Sequence, residues 1–208
     1  MANLQLLTAN KFTEMGSDRI RVILEEAKNT LVDEGFSELS FRNVAKRARM
    51  TVGNVTYYFP TKDDLLMELA GYIFDRWEDR FRRNLPPNLT GKMDIFLYSI
   101  RYMIEENKRV KSNRLLLEMW AMANHSTAVM KMLDAFYCKM RAWIENMLAD
   151  IAPTQSVRKR QLRAALITSQ IEGLMVLIGP NRMIHKELEG LENEAIKQIQ
   201  KLAVDDLG

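Results

Sequence analysis

The densest concentration of groups able to do chemistry lies between Ser40 and Lys62, in the run SFRNVAKRARMTVGNVTYYFPTK. Arg42, Lys46, Arg47 and Arg49 put four positive charges into eight residues with no acid among them. Thr51, Thr56, Tyr57 and Tyr58 add hydroxyls, and Gly53 sits among them without a side chain. Cations, hydroxyls and a bare stretch of backbone suit a phosphate backbone and base edges rather than the making and breaking of bonds. No Glu-x-x-His pair, phosphate loop or nucleophile–base constellation occurs, which speaks against an enzyme built on a helical bundle. Chemistry assembled only by folding stays open at this level, as does a helical adaptor for another protein. Cys138 is the one cysteine, which excludes an internal disulfide and a cysteine metal cluster. Its place between Tyr137 and Lys139 in a helical pattern makes it a passive thiol. His125 and His185 stand far apart with no ligand spacing. No catalytic residue, metal ligand or cofactor is expected.

Two short helices and a tight turn must position this stretch. Ser40 is a good N-cap, and Phe41, Val44, Ala45 and Ala48 recur at three- and four-residue steps as one buried stripe. The turn falls at Arg49-Met50. Thr51 caps a second helix that Pro60 limits to about two turns, too short to stand alone in water. Val55 and Phe59 form its inward face. Val52, Gly53, Thr56 and Tyr57 form its outward face, with Asn54 and Tyr58 at the borders. A glycine inside so short a helix costs roughly 1 kcal/mol against alanine, and one use for it is close approach of something large. A DNA major groove fits that role, since a small outward face fits the groove. An ordinary helical hairpin with solvated charges accounts for the stretch equally well at this point.

The rest of the chain reads as helix. With 47% hydrophobic residues among 208, it is long and apolar enough to bury a core, and five prolines with few alternating β-branched runs point away from strands. The net charge of +3 permits a nucleic-acid partner without requiring one; residues 1–62 carry nine bases against seven acids, so the positive field is local. There is no secretory signal and no run of 18 apolar residues, so a cytoplasmic protein is expected, with no membrane partner. Residues 1–16 lack periodicity and read as a loose arm or helix extension. A strong amphipathic helix starts at Ser17 or Asp18 and carries Ile20, Ile23, Leu24, Ala27 and Leu31. Gly35 closes it, with Phe36 as the following hydrophobic contact. Thr61 and Asp64 make a capping box at the head of a long helix through Leu65, Leu69, Ile73 and Trp77, and the inter-domain boundary is placed within it, near residues 63–70.

Five further helices are expected: from Thr90 to about Asn107, Lys108 to Asn124, Thr127 to Ile151, Val157 to Ile178, and Glu187 to about Val204. The run Leu115-Leu116-Leu117 with Met119-Trp120-Ala121-Met122 predicts a helix buried on most sides. Ala164, Ala165, Ser169 and Gly173 are small residues that suit close helix packing, so the last two helices predict either a two-fold four-helix interface or simply the monomer core. Phe96, Tyr102, Met119, Trp120, Met122, Trp143 and Met147 are candidate lining residues for a small molecule. Glu118 and Glu172 each interrupt an apolar run, and a carboxylate among aromatic rings suits an organic cation. Core aromatics with exposed acids are the alternative for each of them.

Residues 19–66 resemble the DNA-binding domain of TetR-type transcriptional regulators. The pattern is an amphipathic helix ending in Gly35-Phe36, then Ser40…Val44-Ala45…Ala48, Thr51-x-Gly53-x-Val55, and Tyr58-Phe59-Pro60-x-Lys62-x-x-Leu65. The later helices match in number and rhythm, and Arg114–Trp120 with Ala123-Asn124-His125 faintly resembles the choline-responsive repressors of that family. The resemblance implies an all-α fold: a three-helix helix-turn-helix domain, residues 1–66, joined by a long helix to a larger ligand-binding and dimerisation bundle, residues 67–208. It implies a sequence-specific, DNA-binding transcriptional regulator, a ligand-released repressor acting as a homodimer on a palindromic double-stranded operator. Thr51, Val52, Gly53, Asn54 and Tyr57 would then face the major groove or its flanking phosphates, Tyr58 would touch the DNA backbone, and Ser40 and Lys62 would hold phosphates. The homodimer would form through the last two helices. Two positions depart from the pattern. Arg49 stands where a turn glycine is usual, so either the turn differs or Arg49 adopts a left-handed conformation at about 1–2 kcal/mol and is used on a phosphate. Thr56 stands where tyrosine is common, so the groove-facing surface is altered.

Overall fold

A computed structural model of the protein describes residues 14–183 and 185–204. Among the described residues there are nine α-helices and no strand: α1 (Glu14–Asp33), α2 (Phe41–Arg47), α3 (Val52–Tyr58), α4 (Lys62–Asn84), α5 (Lys92–Lys108), α6 (Val110–Ala123), α7 (Thr127–Ile151), α8 (Val157–Ile178) and α9 (Leu191–Val204). Most of the arm expected over residues 1–16 lies outside the described residues. α1 begins ahead of the expected start at Ser17 or Asp18, so both residues are carried inside the helix. The helix expected from Glu187 is also shorter: Lys186–Leu188 is a 3-10 turn, and Gly190 at φ +82° redirects the chain before α9 begins.

The chain forms two compact units. Of the described residues, the first holds 14–77 together with Arg114–Phe136; the second holds Glu78–Asn113 and those from Tyr137 to Val204. α4 runs unbroken through the boundary expected at residue 66, and most of α6 and the first part of α7 group with the N-terminal helices.

In the first unit, α1 packs on α2 and α2 on α3. Ile20, Ile23, Leu24, Ala27 and Leu31 of α1 are buried with Val44 and Ala45 of α2, Val55 and Phe59 at α3, and Leu65, Leu66 and Leu69 of α4. Each helix is thus held by its apolar stripe, which is what two seven-residue helices need to exist at all. Gly35 takes φ +89°, a conformation open to glycine at little cost, and ends α1 as its sequence position predicts. Tyr72 of α4 donates to Glu25 of α1 at 2.7 Å and fixes the crossing of those two helices. Burial beside that carboxylate pushes the Tyr72 phenol well above its usual range.

In the second unit, α5 packs on α8 and α9, and α8 on α9. Its core is Phe96, Ile100, Met103 and Ile104 of α5, Ile144 and Leu148 of α7, Ala164, Ile167, Ile171 and Leu174 of α8, and Ile196 and Ile199 of α9. Gly179 ends α8 where no side chain fits: a Cβ there would lie 2.2 Å from the Met175 carbonyl oxygen and 2.7 Å from Asn113 Nδ2.

Helix α6 corrects the expectation of burial on most sides. Met119 is buried, but Leu115, Leu116, Leu117 and Met122 are only half-buried and Trp120 is 49% exposed. An apolar run does not distinguish a core helix from one with an apolar face left open.

Candidate nucleic-acid interface

The turn between α2 and α3 is a hydrogen-bonded helix terminus. Met50 N–H donates to the Ala45 carbonyl at 2.9 Å and Arg49 N–H to the Lys46 carbonyl at 3.3 Å, the paired bonds of a Schellman motif. The motif requires a left-handed residue after the C-cap, and here that residue is Arg49, at φ +54°. The turn therefore keeps the geometry a glycine would give, and an arginine carries the strain.

Caps fix both short helices. Ser40 Oγ accepts from Asn43 N–H at 3.2 Å at the head of α2. At α3 the cap is reciprocal: Thr51 Oγ1 accepts from Asn54 N–H at 3.2 Å, while the Thr51 hydroxyl and amide donate to Asn54 Oδ1 at 2.6 and 3.3 Å. Asn54, predicted to face DNA, thus also holds its own helix together. Thr56 donates back to the Val52 carbonyl at 3.2 Å, which draws its hydroxyl toward its own backbone.

The outward face of α3 is as the spacing predicts at its centre and different at its border. Val52 is 45% exposed and Tyr57 67% exposed, both large apolar surfaces open to solvent. Tyr58, expected at the border, is buried at 7% and meets the Tyr57 ring edge-on at 5.0 Å between centroids. It lies three residues past Val55, on the same inward side. Gly53 is exposed, its φ is not positive, and a Cβ there would meet only Thr51 Oγ1, at an ordinary 3.7 Å.

The four cations of α2 and its turn divide. Arg47 is held by three acids: Nε lies 3.0 Å from Glu26, Nη1 2.5 Å from Glu34 and Nη2 3.5 Å from Asp33. The bonds to Glu26 and then Glu34 raise its pKa above the usual arginine value. Arg42, Lys46 and Arg49 are exposed and their side chains make no ion pair or hydrogen bond with the described residues. Lys62 heads α4 with its Nζ 4.4 Å from the centre of the Phe36 ring, and desolvation there lowers its ammonium pKa below the usual lysine value.

The residues predicted to line an effector site fall in both units. Phe96, Tyr102, Trp143, Met147 and Glu172 belong to the second; Glu118, Met119, Trp120 and Met122 belong to the first. Within the second unit, Phe81 gathers Tyr102 at 5.5 Å and Trp143 at 5.2 Å, both edge-on, together with Tyr98 at 5.9 Å. Phe96 is fully buried core. Glu172 accepts from the Tyr137 hydroxyl at 2.8 Å and from Asn107 Nδ2 at 3.1 Å, and burial raises its carboxyl pKa while those two bonds oppose the rise. Phe81, Tyr98, Tyr137 and Asn107 were not among the predicted residues; the apolar periodicity of α4, α5 and α7 offered only their helical context. Glu118 pairs with Arg114 at 2.8 Å, and its other oxygen lies 3.5 Å from where a Cβ of Gly35 would be, beside the end of α1. Among the described residues no cluster of three or more His, Cys, Asp or Glu is placed to hold a metal ion.

A capped helix pair with an open, small and aromatic recognition face, built on a helical body, defines a helix-turn-helix DNA-binding regulator. Comparison with known proteins agrees. Residues 23–69 match the family model of bacterial regulatory proteins of the tetR family, and residues 101–199 match that of the BetI-type transcriptional repressor C-terminal domain. The chain belongs to the TetR family of transcriptional regulators, a family of regulators and not of enzymes. A helix-turn-helix transcriptional regulator encoded in the dhlA 5′ region of Xanthobacter autotrophicus is 28% identical over 182 residues, covering 86% of this chain and 89% of that one. A TetR-family regulator from Rhodococcus sp. superposes with a TM-score of 0.68 at 21% identity, over 90% of this chain and 100% of that one. The multidrug binding protein EbrR complexed with ethidium superposes with a TM-score of 0.60 at 19% identity, over 88% of this chain and 98% of that one. These two likenesses show the fold.

Proposed function

We propose that the protein is a ligand-released repressor that binds a palindromic operator as a homodimer, acting in the cytoplasm. The observation that carries the DNA-reading face is Gly53. Neither packing nor backbone conformation asks for glycine there, and alanine would stabilise α3 by roughly 1 kcal/mol. A bare, exposed position that costs the free protein stability is one kept open for a bound surface. Thr51, Val52, Asn54 and Tyr57 around it would read the major groove, with Ser40, Arg49 and Lys62 on phosphates and Tyr58 bracing the Tyr57 ring from within.

The dimer would form through α8 and α9. Leu162, Leu166, Val176 and Leu177 of α8 are exposed, and with Ser169 and Gly173 they recur every three to four residues along one face. The outward face of α9 is mostly polar, so α8 would supply the apolar centre. The effector would be an organic cation held by Glu172, a carboxylate in an apolar setting with two neutral donors, and by the aromatic group around Phe81. Binding would favour a state whose two α3 helices no longer match successive major grooves about 34–36 Å apart.

A gel shift on the DNA upstream of the protein's own coding sequence tests the reading face. The Gly53→Glu, Tyr57→Ala variant is expected to lose affinity by on the order of a hundredfold, as two contacts of about 1–3 kcal/mol each would require. Equal, sequence-independent binding by wild type and variant would overturn the reading.

A further inference from the structure

We infer that Arg42, Lys46 and Arg49 form a second DNA-binding element beside the reading face, a cationic stripe that grips phosphates and sets the strength and salt dependence of binding. The inference rests on the DNA-binding reading above and goes beyond it in separating which cations do the work. Arg42 and Lys46 are one helical turn apart on the same face of α2, and Arg49 follows at the left-handed turn. All three are exposed, and their side chains make no ion pair or hydrogen bond with the described residues. Arg47, on the same helix, is turned the other way into Glu26, Asp33 and Glu34. The sequence presents four equivalent charges; the fold neutralises one and leaves three facing outward.

The first helix of a helix-turn-helix unit crosses the DNA backbone, so charges on its open face meet phosphates and not bases. Arg49 strengthens the assignment. Its left-handed backbone is strained for any residue other than glycine, while the Schellman bonds hold the turn in place. A side chain held at a strained position, with no ion pair or hydrogen bond among the described residues, is free to serve something outside them. Glu38, two residues ahead of Ser40, is engaged by the Asn43 amide at 3.0 Å.

The test is the slope of log affinity against log salt concentration, between about 50 and 200 mM, where each phosphate neutralised contributes about 0.9. The probe is a mixed-sequence duplex long enough to offer two successive major grooves, run in parallel with the protein's own upstream DNA. Arg42→Gln, Lys46→Gln and Arg49→Gln are each expected to reduce the slope by about 1 per protomer. Arg42→Lys is expected to keep it, because a phosphate accepts either cation. Lys131→Gln, which removes the same charge from the exposed side of α7, is expected to leave the slope as in wild type. Slopes unchanged in all three glutamine variants, or reduced equally by Lys131→Gln, would overturn the stripe while leaving the reading face intact. Absence of DNA binding by wild type would overturn the underlying reading and the stripe with it.

Discussion

At the scale of single residues, Arg49 and Glu172 show local stability set against another requirement. Arg49 occupies the left-handed site of the turn, where glycine avoids the Cβ penalty of about 1–2 kcal/mol but brings back roughly 0.5–1 kcal/mol of chain entropy. Arg49→Gly is therefore expected to raise unfolding stability by about 0.5–1 kcal/mol in urea titration. An unchanged midpoint would mean that the turn is not strained. Glu172 has its carboxyl raised above the ordinary 4.5 because burial disfavours the charged form. An acid raised in this way holds its proton longer in the folded state than in the unfolded one. Its contribution to stability is therefore greatest below the unfolded value and falls as pH rises through it toward the folded-state value. Glu172→Gln removes that titration. Its melting temperature is expected to gain on wild type as pH rises from about 4 to 7, and a constant difference across that range would contradict the assignment.

At the scale of elements, the informative contrast is between α8 and α9. α9 buries Ile196, Ile199 and Ala203 and turns Lys197, Gln198 and Lys201 outward, as a surface helix does. α8 is apolar around more of its circumference: Ile167, Ile171 and Leu174 are buried on one side, while Leu162 and Leu166, the latter 52% exposed, lie open on another. Monomers seldom leave such a stripe uncovered. Leu166→Glu is expected to shift the protein from dimer to monomer in analytical ultracentrifugation while leaving its helical circular dichroism intact. A variant that stays dimeric would move the interface elsewhere. Sequence periodicity found α8 and α9 as helices. It did not reveal which face of each was left over, because that depends on where α5 lies against them.

At the scale of the molecule, the proposed function requires two copies of α3 at a spacing the DNA imposes. The chain supplies one proposed reading face per protomer, on a helix of seven residues held by α1, α2 and α4. A footprint on the operator is therefore expected to show two protected half-sites related by two-fold symmetry and separated by about one helical turn or a multiple of it. A single protected site would remove the homodimer from the mechanism. The grouping of Arg114–Phe136 with the N-terminal helices gives this scale its physical basis: part of the C-terminal sequence, Glu118 beside Gly35 included, packs in the same compact unit as α1, α2 and α3.

The sequence by itself determined the helices, their caps at Ser40, Thr51 and Thr61, the end of α1 at Gly35, and the family to which the chain belongs. These are local properties, written in three- and four-residue spacings and in side chains that bond within their own turn. Only the tertiary structure decided which of four neighbouring cations is neutralised, since Glu26, Asp33 and Glu34 reach Arg47 from α1 and the turn that follows it. It likewise decided that Tyr58 is core and Tyr57 surface, that α6 is partly open, and that Glu172 meets Tyr137 and Asn107. Each of those outcomes depends on contacts between residues distant in the chain, which periodicity does not encode.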